Sequence, residues 1–260
     1  MGVREALSAL LTDEAELDLL RRDPDGLGAR HGLTAEDLAM LTSVASTGYD
    51  VMYRAVRGKF ARLVGVCLPG TVAELREQHT ARWHEFLDGT VRPAQPVRRA
   101  LLGEGEQLVA WLAVHGPAAL ADYAAYELER ARLAHEGQAL EAVHPAEDPA
   151  WQGLVAVSPA ARVLRFGHDV TAGTAPSRLP RRAVTVLMLR RQGDRPVVVH
   201  RIGGKTANLL ALCDGSRTAA QVVVAAGGDP RSTGATLARL QAAHVLRAAP
   251  VSQAVPTGRT

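Results

Sequence analysis

"LLALCDGSRTAAQVVVAAGG", residues 209–228, decides how the second half of this chain is read. An apolar run holding Leu209 and Leu210 stops at Asp214-Gly215, and Thr218 then stands where a helix needs a side-chain cap before the next apolar run. Two short helices are expected, around residues 204–213 and 218–226. "STGATLARLQAAH" predicts a third from about Ser232 to Ala243, with Leu237 and Leu240 on its core face.

Upstream of these helices the period changes. "ARVLRFGHDV" alternates, while "AVTVLMLRR" and "PVVVHRI" are rich in β-branched residues and bracket "QGDR". Three strands are expected, the second and third forming a hairpin, and "VLRA" adds a candidate short final strand. Gly203 and Gly204 turn the third strand into the first helix. A three-stranded antiparallel sheet with three helices is a winged-helix-like arrangement.

The first half reads as helix. "TDEAELDLLRRDP" offers Thr12 as a cap, acids in the first turn and a stop at Asp23-Pro24; Gly32 closes the next helix and Thr34 with Asp37 opens another. Longer helical patterns follow in "GYDVMYRAVRGKFARLVGVCLPG", "TVAELREQHTARWHEFLDG", "GEQLVAWLAVHG" and "PAALADYAAYELERARLAHEG". The expected class is α+β. An irregular all-helical domain occupies residues 1–136, a linker 137–153, the winged-helix-like domain 154–250 and a tail 251–260.

Composition narrows the function classes. With 30 Lys and Arg against 27 Asp and Glu, the formal charge is only +3. No stretch approaches the ~20 apolar residues of a membrane span. The N-terminus carries acids directly after a short apolar run, without a signal-peptide pattern, so a cytoplasmic protein without a membrane partner is expected. Cys67 and Cys213 each sit in an apolar run, which suits reduced, buried thiols.

Catalytic and metal motifs are thin. His79 and His84 are five apart and point to different sides of a helix. "GKT" at 204–206 has Val199 where a phosphate loop needs glycine, and "AVSPA" lacks the flanking glycines of a nucleophile elbow. No catalytic residue, metal ligand or cofactor is assigned to the chain.

Two surfaces are candidates for binding. Arg54, Arg57, Lys59 and Arg62 make a basic helix, either a solvated exterior or a contact patch for an acidic protein, with Arg54, Arg57 and Arg62 as its interface candidates. The strand Val197, Val198, Val199, His200, Arg201 and Ile202 is the other. An edge strand can accept an extended peptide as a further strand, or be a half-buried strand shielded by the helical domain. A DNA-binding regulator is the competing reading of a winged helix, but the third helix brings only Arg239 and Gln241 among small and apolar residues, so nucleic acid is not the expected partner.

"VVHRIGGKTANLLALCDGSRTAAQVVV…TLARLQAAHVL" resembles the precursor-recognition domains of ribosomally made peptide natural-product pathways, typified by the pyrroloquinoline quinone pathway chaperone. Leu209, Leu210, Asp214, Gly215, Arg217, Thr218, Leu237, Leu240, Val245 and Leu246 carry the likeness. "LLTDEAELDLLRRDPDGLGARHGLTAEDLAML" resembles the opening of partner proteins that accompany multinuclear non-haem iron-dependent oxidases, as in methanobactin-type pathways. The resemblance implies a non-catalytic subunit that binds the leader segment of a precursor peptide and forms a heterodimer with the oxidase, which carries the iron. It implies leader pairing along Val197–Ile202, with Leu237, Leu240 and His244 lining the adjoining groove. A proline at Val198 or Val199 is then expected to abolish peptide affinity.

Overall fold

The first helices are set by local caps. The computed structural model describes residues 2–44, 46–90, 100–135, 153–191 and 197–249. α1 (Val3–Leu10) leads to α2 (Glu14–Arg22), whose cap is Asp13 and not Thr12; the Asp13 carboxylate accepts from the Ala15 amide at 2.8 Å. Thr12 turns its hydroxyl back to the Ser8 carbonyl. α2 stops at Asp23-Pro24 as expected, and Asp23 also caps α3 (Pro24–His31), which Pro24 starts. Gly32, at φ 62°, closes α3, and Thr34 with Asp37 form the expected capping box of α4 (Ala35–Ser43).

The remaining helices of this half are α5 (Ser46–Cys67), α6 (Pro69–Gln78), α7 (Thr80–Thr90), α8 (Ala100–His115) and α9 (Ala118–His135). The single helix expected across "TVAELREQHTARWHEFLDG" is broken at His79, which separates α6 from α7. Ala6, Leu10, Leu17, Leu27 and Tyr49 close a small N-terminal core. A larger one gathers Phe60, Val64, Leu75, Trp83, Phe86, Leu108 and Leu120. Phe86 lies 5.7 Å from Phe60 and 5.8 Å from Trp83, ring to ring, so the aromatic residues of α5 and α7 are packed together.

The second half holds two three-stranded antiparallel sheets among the described residues. One is the expected sheet, in order β2 (Ala161–Phe166), β3 (Val184–Arg190), β4 (Val197–Ile202). The other, in order β5-β1-β6, joins β1 (Leu154–Val157), β5 (Asp214–Thr218) and β6 (Leu246–Ala249); only its last strand was indicated by the sequence. "DGSRT" is a poor strand former, yet Gly215 at φ 85° lets the chain turn and β1 supplies the partner, with a register shift between Leu154 and Ala156.

Three helices complete this half: α10 (Gly204–Leu212), α11 (Ala219–Ala225) and α12 (Pro230–Ala242). Thr218 and Gln221 form the capping box of α11. Asp229 caps α12, which begins at Pro230, two residues before the expected Ser232. Leu187 and Leu189 of β3 pack with Leu209, Leu210, Cys213, Val222 and Leu237 in one core. The architecture is α+β: a helical half followed by strands and three short helices.

The chain divides into two units, Met1–Ala131 with Gly173–Leu179, and Arg132–Ala172 with Pro180–Thr260. The division falls inside α9, ahead of the expected boundary at 136. Residues 137–152 of the expected linker, the "QGDR" turn at 192–195 and the tail 251–260 lie outside the described residues. No helix among the described residues is long and apolar enough to cross a membrane. Cys67 and Cys213 are unbridged and buried in separate cores; burial and the neighbouring Asp214 push the Cys213 thiol up to about 11.

Candidate peptide-binding edge

β4 stands at the edge of its sheet. It pairs with β3 from Thr185↔Ile202 to Arg190↔Val197, and no strand among the described residues pairs with its outer side. The direction of its backbone groups follows from one hydrogen bond. The Arg190 amide donates to the Ala160 carbonyl at 2.9 Å, so Arg190 turns its peptide groups towards β2 and Leu189 turns its own towards β4. Alternation along the ladder then makes Val198, His200 and Ile202 the residues bonded to β3. The amides and carbonyls of Val197, Val199 and Arg201 face outward.

Side chains alternate in the same register. Val198 and His200 share a face with their partners Leu189 and Leu187, the face that packs on the helices, and Ile202 touches that core. Val197, Val199 and Arg201 share the other face with Arg190, Met188 and Val186. The three valines and Ile202 are half-buried, while His200 and Arg201 are exposed.

The last helix contributes unequally. Leu240 is partly buried against the same core that Ile202 touches, so these two candidates are brought to one cluster. Leu237 is 2% exposed and belongs to the interior; its expected place in an open groove is corrected, because its side chain is used in packing α12. His244 is exposed just beyond α12 and takes a left-handed φ of 58°, while the Val245 amide returns to the Leu240 carbonyl.

Arg201 is tied at its tip. Asp169, 2% exposed, accepts from the Arg201 guanidinium at 3.2 Å, from Arg182, and from the Thr171 hydroxyl at 2.6 Å. No motif announces this cluster, since Asp169 lies 32 residues from Arg201. The Thr171 hydroxyl first, then Arg182, hold the Asp169 carboxyl down to about 2 from its ordinary 3.8. A depressed carboxyl stabilises the fold fully above about pH 4 and loses that contribution as pH falls through about 2. The urea midpoint of Asp169→Asn is therefore expected to lie below wild type at pH 7 and to converge with it near pH 2. Equal midpoints throughout would show that the cluster contributes nothing.

A cavity of about 380 Å³ lies elsewhere on this half, between Val163, Leu164 and Arg165 of β2, Thr185, and Ala207 and Asn208 of α10. None of its lining residues belongs to β4, so it is separate from the edge.

Of the basic helix candidates, Arg57 is engaged: it pairs with Asp88, donates to the Tyr53 hydroxyl at 2.6 Å and stacks on that ring. Of the three interface candidates, Arg57 therefore has its charge paired within the chain. Arg54 and Arg62 are exposed. No group of three or more His, Cys, Asp or Glu that could hold a metal occurs among the described residues. The chain matches no protein-family model and no curated protein.

Proposed function

We propose that this chain is the non-catalytic, leader-binding subunit of a cytoplasmic complex in which a separate iron-dependent oxidase modifies a ribosomally made precursor peptide. The observation that carries the reading is the outer edge of β4. Val197, Val199 and Arg201 turn backbone donors and acceptors outward on a strand with apolar side chains, next to a core shared by Ile202 and Leu240. An extended leader adding there would gain main-chain hydrogen bonds, and its alternate side chains would meet the valine-lined faces for selectivity. The resemblance of residues 198–246 to precursor-recognition domains supplies the kind of peptide.

The chain's own part is binding and presentation. The oxidative chemistry, with its iron, belongs to the partner. The test is a titration of fluorescently labelled precursor peptide with the purified full chain. Saturable binding in the micromolar range or tighter is expected, lost when the leader is removed, together with oxidase turnover of the precursor that depends on the chain. Binding to duplex DNA with a steep salt dependence, and none to the precursor, would overturn the reading in favour of a winged-helix regulator.

A further inference from the structure

Helix α5 buries one side and leaves the other bare. Tyr49, Tyr53, Phe60, Val64 and Cys67 fall on one side and are buried. At about 100° per residue, the exposed residues span an opposite arc about 160° wide. Along its centre run Val51, Ala55, Gly58, Arg62 and Val66, a row about 22 Å long. Val51 and Val66 are 64% and 66% exposed, and Met52 on the flank 44%. Gly48 continues the row towards Val44: a Cβ there would meet Val44 Cγ1 at 3.3 Å, and Val44 is itself exposed. A Cβ at Gly58 would meet nothing within 4 Å, so the middle of the row is open to close approach.

The charge on this arc has one sign. Arg54, Lys59 and Arg62 are its only ionisable side chains. The Arg54 guanidinium donates only to the Asp50 backbone carbonyl, at 3.3 Å, and Lys59 and Arg62 have no ion pair among the described residues. Arg57, on the shoulder of the buried side, is neutralised by Asp88. The cations of the bare face are thus the ones left without carboxylates.

We propose that this face of α5 docks a protein partner that presents apolar side chains with carboxylates among and beside them. The apolar residues of the row gain from being covered, and three unopposed cations, Arg62 within the row and Arg54 and Lys59 towards its two margins, select an acidic partner through steering and through repulsion of basic surfaces. A second copy of this chain would set these cations against each other. A membrane surface fits less well, because the apolar members of the row are valine, alanine and glycine where interfacial helices insert bulky Trp, Phe or Leu. This inference rests on the reading of the chain as a partner subunit, and the occupant is then the oxidase.

Calorimetry of the full chain with the purified oxidase tests it, using the double variant Arg54→Glu/Arg62→Glu. Both side chains are exposed, so an unchanged melting temperature and unchanged leader affinity are expected. Affinity for the oxidase is expected to fall at least about tenfold at low salt, with the deficit shrinking as salt rises. Wild-type affinity in the double variant would overturn the surface while leaving the subunit reading intact. Failure of the wild-type chain to bind the oxidase would overturn both. Binding of the wild-type chain to phosphatidylserine vesicles, or a homodimer, either one dissolved by the double variant, would replace the proposed occupant.

Discussion

Val199→Pro is expected to lower leader affinity by about 100-fold while the sheet stays folded. The Val199 amide faces away from β3, so proline deletes a donor that only an added strand would use, and its ring occupies the space where that strand would lie. Val198→Pro differs in kind. The Val198 amide is directed at Leu189, so proline there removes a bond of the β3–β4 ladder, and any loss of binding comes with a lower melting temperature. Val199→Thr keeps both the amide and the branched shape and is expected to bind nearly as wild type. Peptide titrations of the three variants, each with its thermal melt, separate the cases. Wild-type binding by Val199→Pro would sink strand addition at this edge.

That distinction was not available from "PVVVHRI" alone. The run announces a strand, and its place as the last of three strands in a small sheet announces an edge, but which amides face outward depends on a bond between Arg190 and Ala160, outside the run. Other features divide the same way. The capping box at Thr34–Asp37 and the Thr218 cap act over three residues and were legible in the sequence, although the return bond from Gln221 was not read there. β5 was not, because "DGSRT" has no strand preference of its own and forms only against β1, some 60 residues earlier in the chain. Leu237 shows the limit for site residues: its apolar helical spacing is equally that of a groove wall and of a core residue, and only packing decides between them. Arg57 shows the same limit for charge, since its partner Asp88 lies 31 positions away.

The largest stability effect is expected from Glu127, another long-range contact. α6 begins with Leu68 in the cap position, and leucine has no side-chain oxygen to receive the first amides. Glu127 of α9 does this instead. Its buried carboxylate accepts from the Gly70 amide at 2.9 Å, from the Thr71 amide at 2.8 Å and from the Thr71 hydroxyl at 2.8 Å. The negative charge also meets the positive end of the helix dipole. The fit is close: a Cβ on Gly70 would lie 2.9 Å from Tyr123 Cε1 and 3.1 Å from Glu127 Oε1. Glu127→Ala strands three donors, two of them on the fully buried Thr71, and is expected to cost about 3 kcal/mol, or roughly 10 °C in the melting of the helical half. Glu127→Gln retains an acceptor and should lose less, whereas Gly70→Ala should be destabilising by displacing Tyr123 and Glu127. Thermal melts followed by helical circular dichroism check the series. Because the strand-bearing half packs Leu187, Leu210 and Leu237 in a core of its own, leader affinity of Glu127→Ala below its melting point is expected to match wild type. A parallel loss of leader affinity would show that the helical half participates in holding the peptide.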